Sequence, residues 1–102
     1  MIRNVVLGRL RDAPDAAARE HDLGELDAGL AGIAALALPG QLDMHAARDA
    51  GLREGNWTFA ITNDWADAAA YRAYDVDAEH NRYRTRIAAV CAEIARAQIE
   101  IG

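Results

Sequence analysis

For chemistry the chain offers histidines at 21, 45 and 80, one cysteine at 91, a scatter of carboxylates and eleven arginines, with no lysine and no serine. The missing lysine excludes Schiff-base catalysis, a pyridoxal phosphate anchored in the usual way and a Walker-type phosphate lysine. The missing serine excludes a serine nucleophile. A single cysteine cannot form an internal disulfide, and the three histidines do not stand at metal-ligand spacing with it. His21 and His45 lack partners at informative spacing and read as surface residues. Cys91, next to Val90, reads as a buried small hydrophobe on the inner side of a helix, with no base nearby to activate it. Asp75, Asp77 and Glu79 could attract a divalent cation, but nothing in the pattern enforces a full oxygen shell. The expectation is no metal and no cofactor.

The frame that must position any such group is small. The chain has 102 residues, 52% of them hydrophobic and 26% charged, an ordinary globular balance for one domain spanning 1–102. A formal charge of −5 and a pI near 5.0 argue against a nucleic-acid or anionic-membrane surface, since both call for a basic face. The first ten residues are too broken by Arg3 and Arg9 for a signal peptide, and no run approaches the roughly 20 apolar residues of a membrane span. A cytoplasmic protein is the expectation. The twenty-four alanines beside eleven arginines and no lysine point to a GC-rich bacterial genome.

Hydrophobic spacing gives the order of elements. Residues 2–10 read as a strand with both faces of its middle buried, because Val5, Val6 and Leu7 are consecutive. From Asp15 the period lengthens: Leu23, Leu26, Leu30, Ile33 and Ala37 trace the apolar stripe of a helix that Pro39-Gly40 stops. Glycines at 24, 29 and 32 cost that helix about 1 kcal/mol each relative to alanine, so it must depend on packing. Residues 41–48 alternate loosely as a second strand, and 49–56 form a loop. Residues 57–62 are a third strand, with Trp57, Phe59 and Ile61 set against Thr58, Ala60 and Thr62. Asp67 is the N-cap of a short helix ending near Tyr74. Beyond Asp77 a further helix carries Tyr83, Ile87, Val90 and Ile94 on one face, and 97–101 alternate as a last strand.

This is the β-α-β-β-α-β order of a ferredoxin-like α+β fold, a four-stranded antiparallel sheet with helices on one face. Nothing in the chain covers the other face, where Val5, Leu7, Thr58, Ala60 and Thr62 belong. A second copy packing sheet to sheet, a homodimer, is the simplest cover.

The residues also resemble the stress-responsive dimeric α/β-barrel (Dabb) family over essentially the whole chain. The resemblance is carried by the opening Met-Ile-Arg-x-Val-Val-Leu strand, Leu38-Pro39-Gly40, Gly55-x-Trp57, Trp65, and Tyr74 followed six residues later by His80. It implies a homodimer whose two sheets close a barrel, with a small-molecule pocket in each subunit between helices and sheet. The family includes plant stress proteins and olivetolic acid cyclase, a polyketide cyclase, and in that enzyme a Tyr and a His in this segment form the catalytic pair. Carried over, the catalytic candidates are Tyr74 and His80. Asn4, Phe59, Trp57 and Tyr83 are candidate ligand contacts, and a small apolar or aromatic molecule is the expected ligand.

The chemistry is sound for such a pair. Aldol closure of a poly-β-ketone needs a base near neutral pH and a donor to hold the enolate oxygen; histidine suits the first role and a tyrosine hydroxyl the second. In an unbroken helix, six positions rotate by about 240° net and point two side chains to different sides, so the helix must break between Tyr74 and His80. Family members have His-Pro where this chain has Asp77-Ala78, but Asp77 as an N-cap and Glu79 in the first turn still favour the break. Asn4 and Phe59 stand where the cyclase has pocket histidines, which makes the lining more apolar. Other readings stay open. His80 could instead bond a backbone carbonyl or Tyr74 and hold the loop, and Tyr74 could be a core aromatic. The protein could be a cofactor-free cyclase, a cofactor-independent monooxygenase-like barrel, a non-catalytic binding or stress-protective dimer, or a purely structural one.

Overall fold

The computed structural model describes residues 1–102. Strand β1 (Ile2–Leu10) leads through helix α1 (Ala16–Ala34) to β2 (Gln41–Arg48) and β3 (Phe59–Trp65). Helices α2 (Ala68–Asp75) and α3 (Ala78–Ala89) then precede β4 (Cys91–Glu100). The strands form one antiparallel sheet in the order β2-β3-β1-β4. This is the ferredoxin-like α+β arrangement that the sequence predicts. No helix is long and apolar enough to cross a membrane.

The register decides which side chains meet the helices. Asn4 lies opposite Asn63, Val6 opposite Ile61 and Gly8 opposite Phe59, and period-two alternation sends this set to one face. There they join Leu26, Leu30, Ile33, Leu36, Trp65, Tyr74, Ile87 and Val90 in the core. Phe59 fits because residue 8 has no side chain: a Cβ on Gly8 would fall 2.1 Å from the ring. The glycines of α1 have a related use. A Cβ on Gly29 would fall 2.5 Å from Ile87, and one on Gly32 would fall 2.3 Å from Tyr83, so both permit the close approach of α1 to α3. On the other face Val5, Leu7, Ala60 and Thr62 lie across from Ala95 and Ala97 of β4 and from His45 and Ala47 of β2. Apart from the loop at Asn56 and Trp57, which borders Leu7 and Ala60, the chain leaves this face open, and Leu7 is 38% exposed.

Three boundaries differ from the spacing-based expectation, each for a tertiary reason. Helix α1 stops at Ala34, short of Ala37, because the Gln41 side chain takes the chain end over: its Nε2 donates to the Leu36 carbonyl (2.7 Å) and its Oε1 accepts from the Leu38 N–H. Strand β3 starts at Phe59 and continues past Thr62 to Trp65. Asn63 and Asp64 look like turn formers, yet Asn63 is bonded inside the core and Asp64 pairs with Arg3 on the outer face. Finally, α3 ends at Ala89, so Cys91 and Ile94 belong to β4, not to the helix. The 3,4 spacing of Ile87, Val90 and Ile94 spans both elements by coincidence. Cys91 is correspondingly half-buried at a strand start, where burial pushes its thiol pKa up.

Candidate functional site

The helix break sets up the site. Val76 caps α2 and Asp77 caps α3, its carboxylate accepting from the His80 N–H at 2.9 Å. The restart that Asp77 favours is therefore present without a proline. It turns the His80 ring back onto Tyr74, where the two rings stack with centroids 3.8 Å apart and planes 19° from parallel. Both residues are buried, at 4% and 3% exposure.

Hydrogen-bond logic fixes the protonation of both. The Tyr74 carbonyl accepts from the Asp77 N–H (3.1 Å) and faces His80 Nδ1 (2.8 Å). A carbonyl can only accept, so Nδ1 carries the proton and Nε2 holds the free lone pair. Burial lowers the imidazole pKa below its ordinary 6.5, with the nearby Arg84 adding to the effect, so the ring is neutral near pH 7. Nε2 has no protein partner, and no fully occluded side-chain nitrogen or oxygen in the chain lacks one. Nε2 therefore borders open space.

Tyr74 is oriented by a buried chain of bonds. The Trp65 indole N–H is a donor only, so Asn63 must present Oδ1 to it (2.5 Å) and its amide nitrogen to the Tyr74 oxygen (3.2 Å) and Met44 Sδ (3.5 Å). The Tyr74 oxygen accepts here, and its own proton has no protein acceptor. Burial pushes the Tyr74 pKa up to about 12, so the phenol stays protonated and is a donor. The Trp65 ring packs against it with centroids 4.7 Å apart.

Tyr74 and His80 line one cavity of about 40 Å³ between sheet and helices, together with Asn4, Phe59, Val6 and Ile61. Of the residues singled out from the sequence, the structure thus gathers Tyr74, His80, Asn4 and Phe59. The Asn4 amide oxygen accepts from Gln98 at 2.9 Å. Trp57 and Tyr83 lie elsewhere, contrary to expectation. Trp57 precedes β3 and stacks under the Arg9 guanidinium, 4.4 Å from its ring centroid. Tyr83 is taken up by the α1–α3 contact over Gly32, its hydroxyl near Glu79.

The acidic trio is also spent: Asp75 holds Arg84, Asp77 caps α3, and Glu79 lies by Arg82 and Tyr83. Ile33, Ile87, Ile94, Asp75, Tyr71, Arg84 and Arg96 complete the cavity lining; none of them was among the ligand-contact candidates. Arg84 had a usable signal, four positions after His80 on one helix face. Asn63, which orients Tyr74, also had one in the alternation Phe59, Ile61, Asn63, Trp65. Arg96 had none while Ile94 was counted with the helix.

No family model and no curated protein matches the sequence. Solved structures do. A dimeric ferredoxin-like protein of unknown function from Thermobifida fusca is 26% identical, with 98% of this chain and 90% of that one covered, at a TM-score of 0.74. A dimeric protein of ferredoxin-like fold from Bacteroides fragilis is 18% identical, covering 98% and 95%, at 0.83. A Dabb family protein from Mesorhizobium loti is 20% identical, covering 99% and 97%, at 0.63. More distant matches include a hydroxynitrile lyase from Passiflora edulis (15% identity, TM-score 0.64) and a cofactor-independent oxygenase from Streptomyces nogalater (17%, 0.59). The fold is thus the one that the resemblance to the Dabb family implied.

Proposed function

We propose that residues 1–102 form one Dabb-type domain, a cytoplasmic homodimer whose subunits each catalyse proton transfer on a small carbonyl compound without a cofactor. His80 Nε2 takes the proton from carbon and the Tyr74 hydroxyl donates to the enolate oxygen. One observation carries this reading: the surrounding hydrogen bonds leave a single imidazole lone pair and a single phenolic proton uncommitted, on stacked rings that line the same cavity. A neutral imidazole is a competent base at neutral pH, and a phenol held in a dry site is a strong oxyanion donor. The small volume suits a carbon acid of a few heavy atoms better than an extended polyketide, since pockets for larger ligands run to about 300 Å³ or more. That the fold hosts a lyase and a cofactor-independent oxygenase elsewhere supports catalysis on this frame.

The dimer is supported by the uncovered sheet face and by the dimeric structures that share the fold. Leu7→Glu places a charge in the middle of that face; sedimentation velocity at micromolar concentration should show the wild type as a dimer and the variant as a monomer. A monomeric wild type removes the dimer.

For catalysis the test is hydrogen–deuterium exchange at the α-carbons of butanone in D2O, followed by proton NMR. The wild-type protein accelerates exchange; His80→Gln lowers the rate by about 100-fold or more and Tyr74→Phe by a smaller factor. Exchange no faster than with free imidazole at the same concentration overturns the reading.

A further inference from the structure

The mouth of the cavity holds a cation that nothing in the chain neutralises. Six of the eleven arginines pair with carboxylates, namely residues 3, 11, 48, 82, 84 and 86. Arg96 does not. It sits on the helix-facing side of β4, with Val6 as its cross-strand partner. There it borders both the cavity and an open groove of about 780 Å³ that continues outward between α3 and β4. In a chain of net charge −5, an unpaired guanidinium at this point is a local reversal of sign.

The neighbouring groups sharpen what could answer it. Arg84, the other cation at the mouth, is already engaged: it donates to the Asp75 carboxylate (2.8 Å), to the Asp75 carbonyl (3.0 Å) and to the Asn81 side chain. Its charge is matched, and the Asp75 carboxylate is matched with it. Arg96 presents a planar fork of donors suited to a carboxylate. One unmatched positive charge answers one negative charge. A dianionic phosphate would meet Asp75 and the surplus negative charge of the chain with only one counterion. Inward from Arg96 the walls are Val6, Ile61 and Ile94, and the uncommitted groups are the Tyr74 hydroxyl and His80 Nε2.

The geometry points to a short-chain oxo monocarboxylic acid as the ligand, its carboxylate held at the mouth by Arg96 and its ketone directed inward to Tyr74 and His80, with butanoate and butanone as probes of the two ends. This deepens the proposed function by naming a substrate class, and it rests on that reading for the use made of the cavity.

The test is an NMR titration of the full chain with butanoate and, separately, butanamide, following the His80 ring and Trp65 indole resonances. Butanoate should shift both. Arg96→Gln should weaken butanoate by about tenfold or more while leaving butanamide unchanged, and Arg96→Lys should recover part of the loss. Arg96 is exposed and bonds to nothing, so the variants should fold, which circular dichroism checks. Equal binding of acid and amide, no binding of either, or butanoate binding indifferent to Arg96→Gln overturns the inference. The two proposals also fail separately. Butanoate bound through Arg96 without butanone exchange leaves the anion site standing and removes proton transfer. Exchange with butanoate indifferent to Arg96 does the opposite.

Discussion

His80 Nδ1 donates to the backbone carbonyl of Tyr74 at 2.8 Å, and that bond ties the end of α2 to the first turn of α3 while leaving Nε2 free. The structural and chemical readings of His80 are therefore compatible: the bond that holds the turn also selects the tautomer a base would need. The two roles separate by substitution. His80→Ala should lower stability by roughly 2 kcal/mol, from the lost bond and the space left against Tyr74. His80→Asn, whose amide can still donate to the carbonyl, should recover part of that stability and none of the exchange activity. Urea unfolding and the butanone assay measure the two.

The pH dependence of stability should show two acid limbs. The folded-state pKa of His80 is lowered by burial, so the unfolded chain takes the proton first. Stability is fully present above about pH 6.5 and falls as pH drops from there to the lowered folded value, by at most about 1.4 kcal/mol per pH unit for one group. Asp22, Glu25 and Asp64 behave differently. Their pKa values are lowered by hydrogen bonds from Arg11, Arg86 and Arg3 respectively. What they contribute is present above about pH 4 and is lost as pH falls through those lowered values. Urea midpoints from pH 8 to 3 check this, and His80→Gln should erase the upper limb alone. An upper limb unchanged in His80→Gln assigns it to another group.

The Asn63 amide should matter more than the Tyr74 hydroxyl it orients. Tyr74→Phe removes one acceptor from Asn63, which keeps its bond to Trp65, so the cost should be about 1 kcal/mol. Asn63→Leu leaves the buried Trp65 indole N–H without a partner and removes the donor to Tyr74, so the cost should be roughly 2–3 kcal/mol. Because both act in one network, the double variant should cost less than the sum. A urea double-mutant cycle decides it, and strict additivity would show that the chain of bonds does not act as a unit.

The pattern of what could be read from the chain follows from these networks. Alternation and helical spacing are local, and they located β1, α1, β2 and the capped break at Asp77. Where a polar residue is satisfied by a distant partner, as Asn63 is by Trp65 and Tyr74 or Asp64 by Arg3, local propensity reads a turn and the strand is cut short. Where a helix hands over to a strand without a glycine or proline, as at Val90-Cys91, the spacing of Ile87, Val90 and Ile94 runs on across the boundary. That error hid Arg96, whose place on the cavity wall exists only once β4 begins at Cys91. Trp57 and Tyr83 were candidate ligand contacts, but a cation contact and a helix–helix contact hold them elsewhere.

The glycines of α1 give an opposed pair of stability predictions. From propensity alone, replacing any of them with alanine should stabilise the helix by about 1 kcal/mol. At Gly24 nothing lies within 4 Å of an added Cβ, so Gly24→Ala should realise most of that gain. At Gly29 the Cβ would fall 2.5 Å from Cγ1 of the buried Ile87 and 3.3 Å from the Tyr83 carbonyl oxygen. Relieving both contacts means pushing α3 outward, and overpacking of this kind costs roughly 1–3 kcal/mol, enough to outweigh the propensity gain. Gly29→Ala should therefore lower the urea midpoint and Gly24→Ala raise it, with similar m-values if the change is confined to the folded state. The two helices carry the cavity's far wall through Ile33 and Ile87, so Gly29→Ala should also weaken butanoate binding while Gly24→Ala leaves it unchanged. A stabilised Gly29→Ala would mean that α1 and α3 have room to separate at no cost.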